Sequence, residues 1–239
     1  MLIETLWQDI RFGARTLIKN PMFTAVAVVT LALGIGANTT IFSLTNQVLL
    51  RNLPVDHPDQ LVILRSPGDK AGRISSDGDG AASFSYPMYK DLRDRSDVLA
   101  GVLARYAVSL SVAGDGQTER VSGELVSGNY FQLLGVPPAY GRAFSPADET
   151  TPGANPVAML SYGFWKRRFG SDPSILNKTL QVNGTPLTVV GMTPQSFTGV
   201  QIGRSPDLFV PITMKSEMTP NWDGLNVPSD YWLAIIGRL

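Results

Sequence analysis

Residues 21–50 read PMFTAVAVVTLALGIGANTTIFSLTNQVLL, thirty residues without one charged side chain in a chain of 239. Such a run is a membrane span, a cleavable signal, or a helix buried in a soluble core. A helix crossing the ~30 Å hydrocarbon core of a bilayer needs roughly 20 mostly apolar residues, and Phe23 to Leu44 meets that length. A signal peptide has a short basic region, an apolar stretch of ~7–15 residues and a small-x-small cleavage site. Here a long segment precedes Lys19-Asn20-Pro21, and apolar character continues to Leu50, so the run reads as a retained span. Arg11, Arg15 and Lys19 stand just before it and only Arg51 close behind. The positive-inside rule therefore puts the N-terminus in the cytoplasm and the larger segment outside.

The second half of the run is more polar, with Asn38, Thr39, Thr40 and Ser43. Ala32, Gly36 and Thr40 recur at four-residue spacing, a stripe of small side chains across which another helix can approach closely. Asn38 would be costly alone in lipid, so it is expected to face a partner helix or the interfacial zone. Ahead of the span, Leu6, Trp7, Ile10, Ala14, Leu17 and Ile18 recur at helical spacing, with Asp9, Arg11, Arg15 and Lys19 largely elsewhere. That pattern predicts an amphipathic helix over 1–20 lying on the membrane surface, with a bend at Pro21. Trp7, Arg11, Arg15 and Lys19 are its candidate contacts to headgroups or a cytoplasmic partner.

Charge is balanced, 20 Lys+Arg against 20 Asp+Glu, and stays balanced downstream of the run. No footprint for a phosphate backbone is present, so no nucleic-acid partner is expected. Cysteine is absent, which excludes disulfides, thiol chemistry and Cys-ligated metals. The one histidine, His57, sits between Asp56 and Pro58 and reads as a turn residue.

From Arg51 onward the pattern is α+β. Leu61–Leu64 reads as a short buried strand and residues 66–85, rich in Gly, Ser and Asp, as a mobile loop. Tyr86 to Arg95 reads as a helix with Tyr89 and Leu92 on one face. Strands are expected at Val102–Val112, Arg120–Leu125 and Pro156–Leu160, with short helices at Asn129–Leu134 and Tyr162–Phe169. Asn183-Gly184 between TLQV and TPLTVV signals a type I′ hairpin, with Pro186 on an open edge. Residues 214–230 read as a polar loop, and YWLAIIG as a strand.

Chemistry is sparse. There is no GxxxxGK[ST] phosphate loop. Ser161 lacks the GxSxG frame of a nucleophile elbow and suits a helix N-cap. Asp91, Asp94 and Asp97 alternate with Lys90, Arg93 and Arg95 as a solvated helix face does. Lys166-Arg167-Arg168 points to water, or contacts a lipid headgroup or partner, while Trp165 and Phe169 face a core. No enzymatic activity, cofactor or metal is expected.

Several long stretches in order, WQDIRFGARTLIKNPMFTAVAVVTLALGIGANTTIFSLTNQVLLR, SYPMYKDLRDRS, VSGNYFQLLGVPPAYGRAFSPADE, NPVAMLSYGFWKRRFG and LNKTLQVNGTPLTVVGMTP, resemble MacB/FtsX-type ABC transporter permeases. The resemblance implies an interfacial helix (1–20), a first transmembrane helix with its periplasmic extension (21–50), and a periplasmic core domain of porter and sabre-like subdomains (51–239). It implies a separate cytoplasmic ABC ATPase whose motion is relayed across the bacterial inner membrane, dimerisation through transmembrane helices in a full-length protein, and room for a periplasmic adaptor. Family members continue into further porter sequence and three more transmembrane helices with an FtsX-like domain, so the chain is expected to be an N-terminal permease fragment with an incomplete core domain. Two other readings stay open: an anchored periplasmic domain that binds a partner and transports nothing, and a hydrolase using Ser161 and His57.

Overall fold

The structure is a computed structural model that describes residues 7, 11–13, 15, 17–45, 53–75, 83–114, 116–201 and 203–239. It divides into two compact units, Met1–Arg51 and Asn52–Leu239. The expected positions Leu6, Ile10 and Ala14 of the amphipathic helix lie outside the described residues, as do residues 46–50 of the uncharged run.

In the first unit the span is a continuous helix, α1 (Pro21–Thr45). Its 25 residues extend about 38 Å at 1.5 Å per residue, enough for the hydrocarbon core. Val26, Val29, Leu31, Leu33, Ile35 and Phe42 are all exposed along it. Leaving such side chains in water would cost roughly 1.5–3 kcal/mol each, so the helix needs an apolar environment. Thr30 and Thr40 donate their hydroxyls to the carbonyls of Val26 and Gly36, each at 2.8 Å, which keeps these polar groups paired inside the helix.

The second unit is built on a nine-stranded mixed sheet. Its strands are β1 (Leu61–Ile63), β3 (Gly101–Gly114), β4 (Gln117–Val126), β5 (Tyr140–Gly141), β6 (Val157–Leu160), β7 (Thr179–Val182), β8 (Thr185–Met192), β9 (Leu208–Pro211) and β11 (Ala234–Arg238). They run β1-β11-β3-β4-β9-β6-β8-β5, and β7 bridges β3 and β8. Strands β3, β4, β9, β6, β8 and β7 therefore close into a ring. The β4–β9 and β6–β8 pairs are parallel, and the other pairs in the ring antiparallel. β2 (Arg73–Ile74) and β10 (Asp230–Tyr231) form a separate parallel ribbon.

Side chains alternate along each strand. Ala158, Leu160, Leu208 and Val210 enter one core with Leu110, Val112 and Val189, while Met159 and Phe209 enter a second with Tyr130, Phe131 and Phe197. Among the described residues, four short helices accompany the sheet: α2 (Tyr86–Arg95), α3 (Tyr130–Leu133), α4 (Tyr162–Phe169) and α5 (Lys215–Met218).

The hairpin forms as its turn residues demand. Asn183 (φ 49°) and Gly184 (φ 82°) both take positive φ between β7 and β8, the requirement of a type I′ turn. Pro186 pairs with Gln181 on one side, ahead of the point where β8 joins β6 at Thr188, so its missing N–H breaks no ladder.

Three expectations are corrected. β1 is a half-open edge strand, not a buried one, and Ile63 is 67% exposed, because β11 covers only one side of it. Residues 66–85 include β2, which the Arg73 amide ties to Ser229 O and the Ser75 amide to Tyr231 O. Residues 214–230 include α5, whose Lys215 and Met218 are buried.

Candidate functional site

On α1, Ala32, Gly36 and Thr40 advance about 40° per four-residue step, forming one continuous stripe. A Cβ at Gly36 would meet nothing within 4 Å, so the groove over that glycine is open. Asn38 lies about 200° round the helix from Gly36, on the side opposite the stripe. A second helix seated on the small residues would not meet it. Upstream, Trp7, Arg11, Arg15 and Lys19 are helical and exposed. Leu17, Ile18, Pro21, Thr24, Ala25 and Val28 line a concavity of about 390 Å³ at the start of the span. The Thr24 hydroxyl there donates to Leu17 O and Asn20 O at 2.6 and 3.0 Å.

One cluster of buried polar groups in the second unit centres on Glu149. Glu149 is the last residue of a short 3-10 turn, Pro146–Glu149, capped by Ser145 and Asp148 in a reciprocal box. Arg142 grips Asp148 in bidentate fashion, Nη1 to Oδ2 at 2.8 Å and Nη2 to Oδ1 at 2.9 Å. The Arg142 guanidinium and the Ser145 amide hold the Asp148 carboxyl below its ordinary value, against the opposing push of burial.

This turn delivers Glu149 beneath α2. Its Oε2 accepts the Gly128 amide at 2.8 Å and the Tyr89 hydroxyl at 3.4 Å, and its Oε1 accepts the Tyr86 hydroxyl at 3.2 Å and Arg93 Nη1 at 3.5 Å. Burial pushes the carboxyl up, while Gly128, Arg93 and the phenols pull it down. Burial, followed by the Glu149 charge, raises both phenols, so they remain protonated donors. The cluster opens on a cleft of about 430 Å³ lined by Tyr86, Lys90, Arg93, Asn129, Glu149 and Asn226 among others. Lys90 and Arg93 sit over the rings of Tyr86 and Tyr89 at 5.2 and 5.5 Å. The arrangement suits holding three segments together beside a polar cleft.

A second buried pair lies in the sheet. Arg105 Nη1 donates to Glu124 Oε1 at 2.7 Å, the Tyr130 hydroxyl to Glu124 Oε2 at 3.2 Å, and Arg105 Nη2 to Gln201 Oε1 at 3.1 Å.

The other sequence candidates have structural occupations. Ser161 caps α4, accepting the Phe164 amide at 3.2 Å. His57 takes φ 43° ahead of the 3-10 turn Pro58–Gln60, and its carbonyl accepts from Gln60 N. Arg167 pairs with Asp207 and Glu119, and Arg168 with Glu119, while Trp165 is buried and Phe169 packs on the core. Asp91 pairs with Arg95, and Asp94 with Arg93. Sequence reasoning gave no role to Glu149, Arg105 or Glu124.

A family model, the MacB-like periplasmic core domain, matches residues 24–235. The chain is similar in fold to the periplasmic region of MacB from Actinobacillus actinomycetemcomitans. That likeness has a TM-score of 0.55 at 14% identity, over 80% of this chain and 79% of that one. It is also similar to the extracellular domain of the ABC-type transporter YknZ from Gram-positive bacteria, with a TM-score of 0.50 at 17% identity, over 70% and 80% of the two chains. No curated protein matches it in sequence.

Proposed function

The chain belongs to the MacB-like periplasmic core domain family, and on that premise we propose that it is a membrane-embedded, non-enzymatic permease component of an ATP-driven export or mechanotransmission system. The observation that carries the reading is the coupling, in one chain, of an exposed, uncharged 23-residue stretch of α1, Pro21–Ser43, to that domain. The charges before the span support a cytoplasmic N-terminus in the bacterial inner membrane. Arg11, Arg15 and Lys19 then face a cytoplasmic ABC ATPase on a separate chain, and the Ala32–Gly36–Thr40 stripe is the seam for a second transmembrane helix. Motion delivered to α1 passes to the domain that begins at Asn52.

The alternative is an anchored domain that binds a partner without transport, for which the polar cleft at Glu149 is the supporting feature. Purification of the tagged chain from membranes separates the two. The permease reading expects co-purifying ATP hydrolysis that falls at least fivefold in an Arg11→Glu/Arg15→Glu variant. Recovery of correctly inserted chain with no associated ATP hydrolysis favours the alternative.

A further inference from the structure

In an unbroken helix the carbonyl of Leu17 would accept the amide of residue 21, but that residue is Pro21, which has none. Residues 17–19 are helical, Asn20 is not, and α1 starts at Pro21. Thr24 supplies the missing donor from across the bend. Its hydroxyl shares one proton between Leu17 O at 2.6 Å and Asn20 O at 3.0 Å, and its amide also donates to Asn20 O at 3.0 Å. One threonine thus ties the two helical segments together and fixes the elbow.

Leu17, Ile18, Pro21, Thr24, Ala25 and Val28 line this elbow, a concavity of about 390 Å³. Thr24 is its one polar side chain, and its proton is engaged by the backbone, so the lining presents hydrocarbon and no free donor. Leu17, Ile18 and Val28 are exposed there. The volume falls in the range of preformed ligand sites. Charge decides the ligand. No acidic residue lies between Asp9 and Asp56, whereas Arg11, Arg15 and Lys19 stand exposed just ahead of the hollow. Lys19 follows Ile18 directly, and Arg15 neighbours Ile18 one helical turn earlier.

We propose that this elbow binds one anionic phospholipid of the cytoplasmic leaflet, with an acyl chain in the hollow and the phosphate on Lys19. An apolar wall beside a cationic rim, at the point where the uncharged run begins, matches the order of chain and headgroup in such a lipid. The site rests on the cytoplasmic N-terminus proposed above, and it needs no ATPase. Each juxtamembrane cation favours an anionic headgroup about fivefold, a preference that salt weakens.

Native mass spectrometry of the full chain in detergent tests this, with phosphatidylglycerol or phosphatidylcholine of the same acyl chains added in steps. The expected result is one saturable lipid adduct that favours phosphatidylglycerol at least tenfold at low salt. Lys19→Gln, a change at an exposed position, should cut that preference about fivefold and leave phosphatidylcholine binding unchanged. Ala25→Phe, apolar for apolar and so compatible with insertion, should fill the hollow and weaken both adducts about tenfold or more. Equal retention of the two lipids, an unsaturable ladder of adducts, or adducts indifferent to Ala25→Phe would overturn the proposal. A dimer that carries no lipid would do so too, since a second copy would then fill the hollow. Recovery from the membrane fraction is measured in parallel: a chain absent from membranes removes the span itself, whereas a membrane-bound chain with any of those results removes the lipid site alone.

Discussion

Glu149 accepts the backbone amide of Gly128 at 2.8 Å, and that bond joins two segments twenty-one residues apart to the helix above them. Tyr86 and Tyr89 close the same carboxylate from α2, so one buried acid fixes the positions of three chain segments. Glu149→Ala strands a buried amide and two phenols and is expected to cost about 3–4 kcal/mol. Glu149→Gln keeps one oxygen for these donors and should cost about half as much. Denaturant titration of both variants checks the ranking; equal losses would contradict it.

Asp148 makes stability depend on acid. Its folded carboxyl is held below the ordinary value of 3.8, chiefly by Arg142 and the Ser145 amide against burial. Its contribution is therefore present in full above that value and is lost as pH falls through the lower folded value. Unfolding midpoints followed from pH 5 to pH 2 should decline in the wild type, and more shallowly in Asp148→Asn. Arg142 is half exposed, so solvent screening limits its share of the effect.

The Arg105–Glu124 pair is nearly sealed from water, with side chains 10% and 2% exposed. Removing one partner leaves the other charge buried, so Glu124→Leu alone is expected to cost about 3–5 kcal/mol. The double variant Arg105→Met/Glu124→Leu should recover at least half of that loss in a thermal or denaturant melt. Additive losses would show that the pair is not coupled.

Gly184 in the hairpin has open space around the position of a Cβ. Gly184→Ala therefore pays only for its positive φ, about 1–2 kcal/mol, with no steric clash to relieve. A loss above about 3 kcal/mol in the melt would point to a contact that the turn geometry does not contain.

Legibility in the sequence followed the range over which each signal acts. The span declares itself by the absence of charge over thirty consecutive residues, and the Asn183-Gly184 hairpin and the Ser161 cap by chemistry confined to a few positions. The MacB-like fold was legible only through long stretches taken together. Glu149 was not legible, because its partners Tyr86, Tyr89 and Gly128 come from far upstream and no spacing rule links them. β9 escaped because four residues, LFVP, buried on both faces show no alternation. β2 escaped for a similar reason, since Arg73 and Trp222 meet only after folding.

The central claim is a retained span with the N-terminus inside and residues 52–239 outside. A chain without cysteine allows a direct measurement, namely labelling of single-cysteine variants in intact cells with a membrane-impermeant maleimide. Ser216→Cys, on the exposed side of α5, should label without lysis, and Gly13→Cys only after the membrane is opened. Labelling of Gly13→Cys in intact cells, or protection of Ser216→Cys until lysis, would contradict the account.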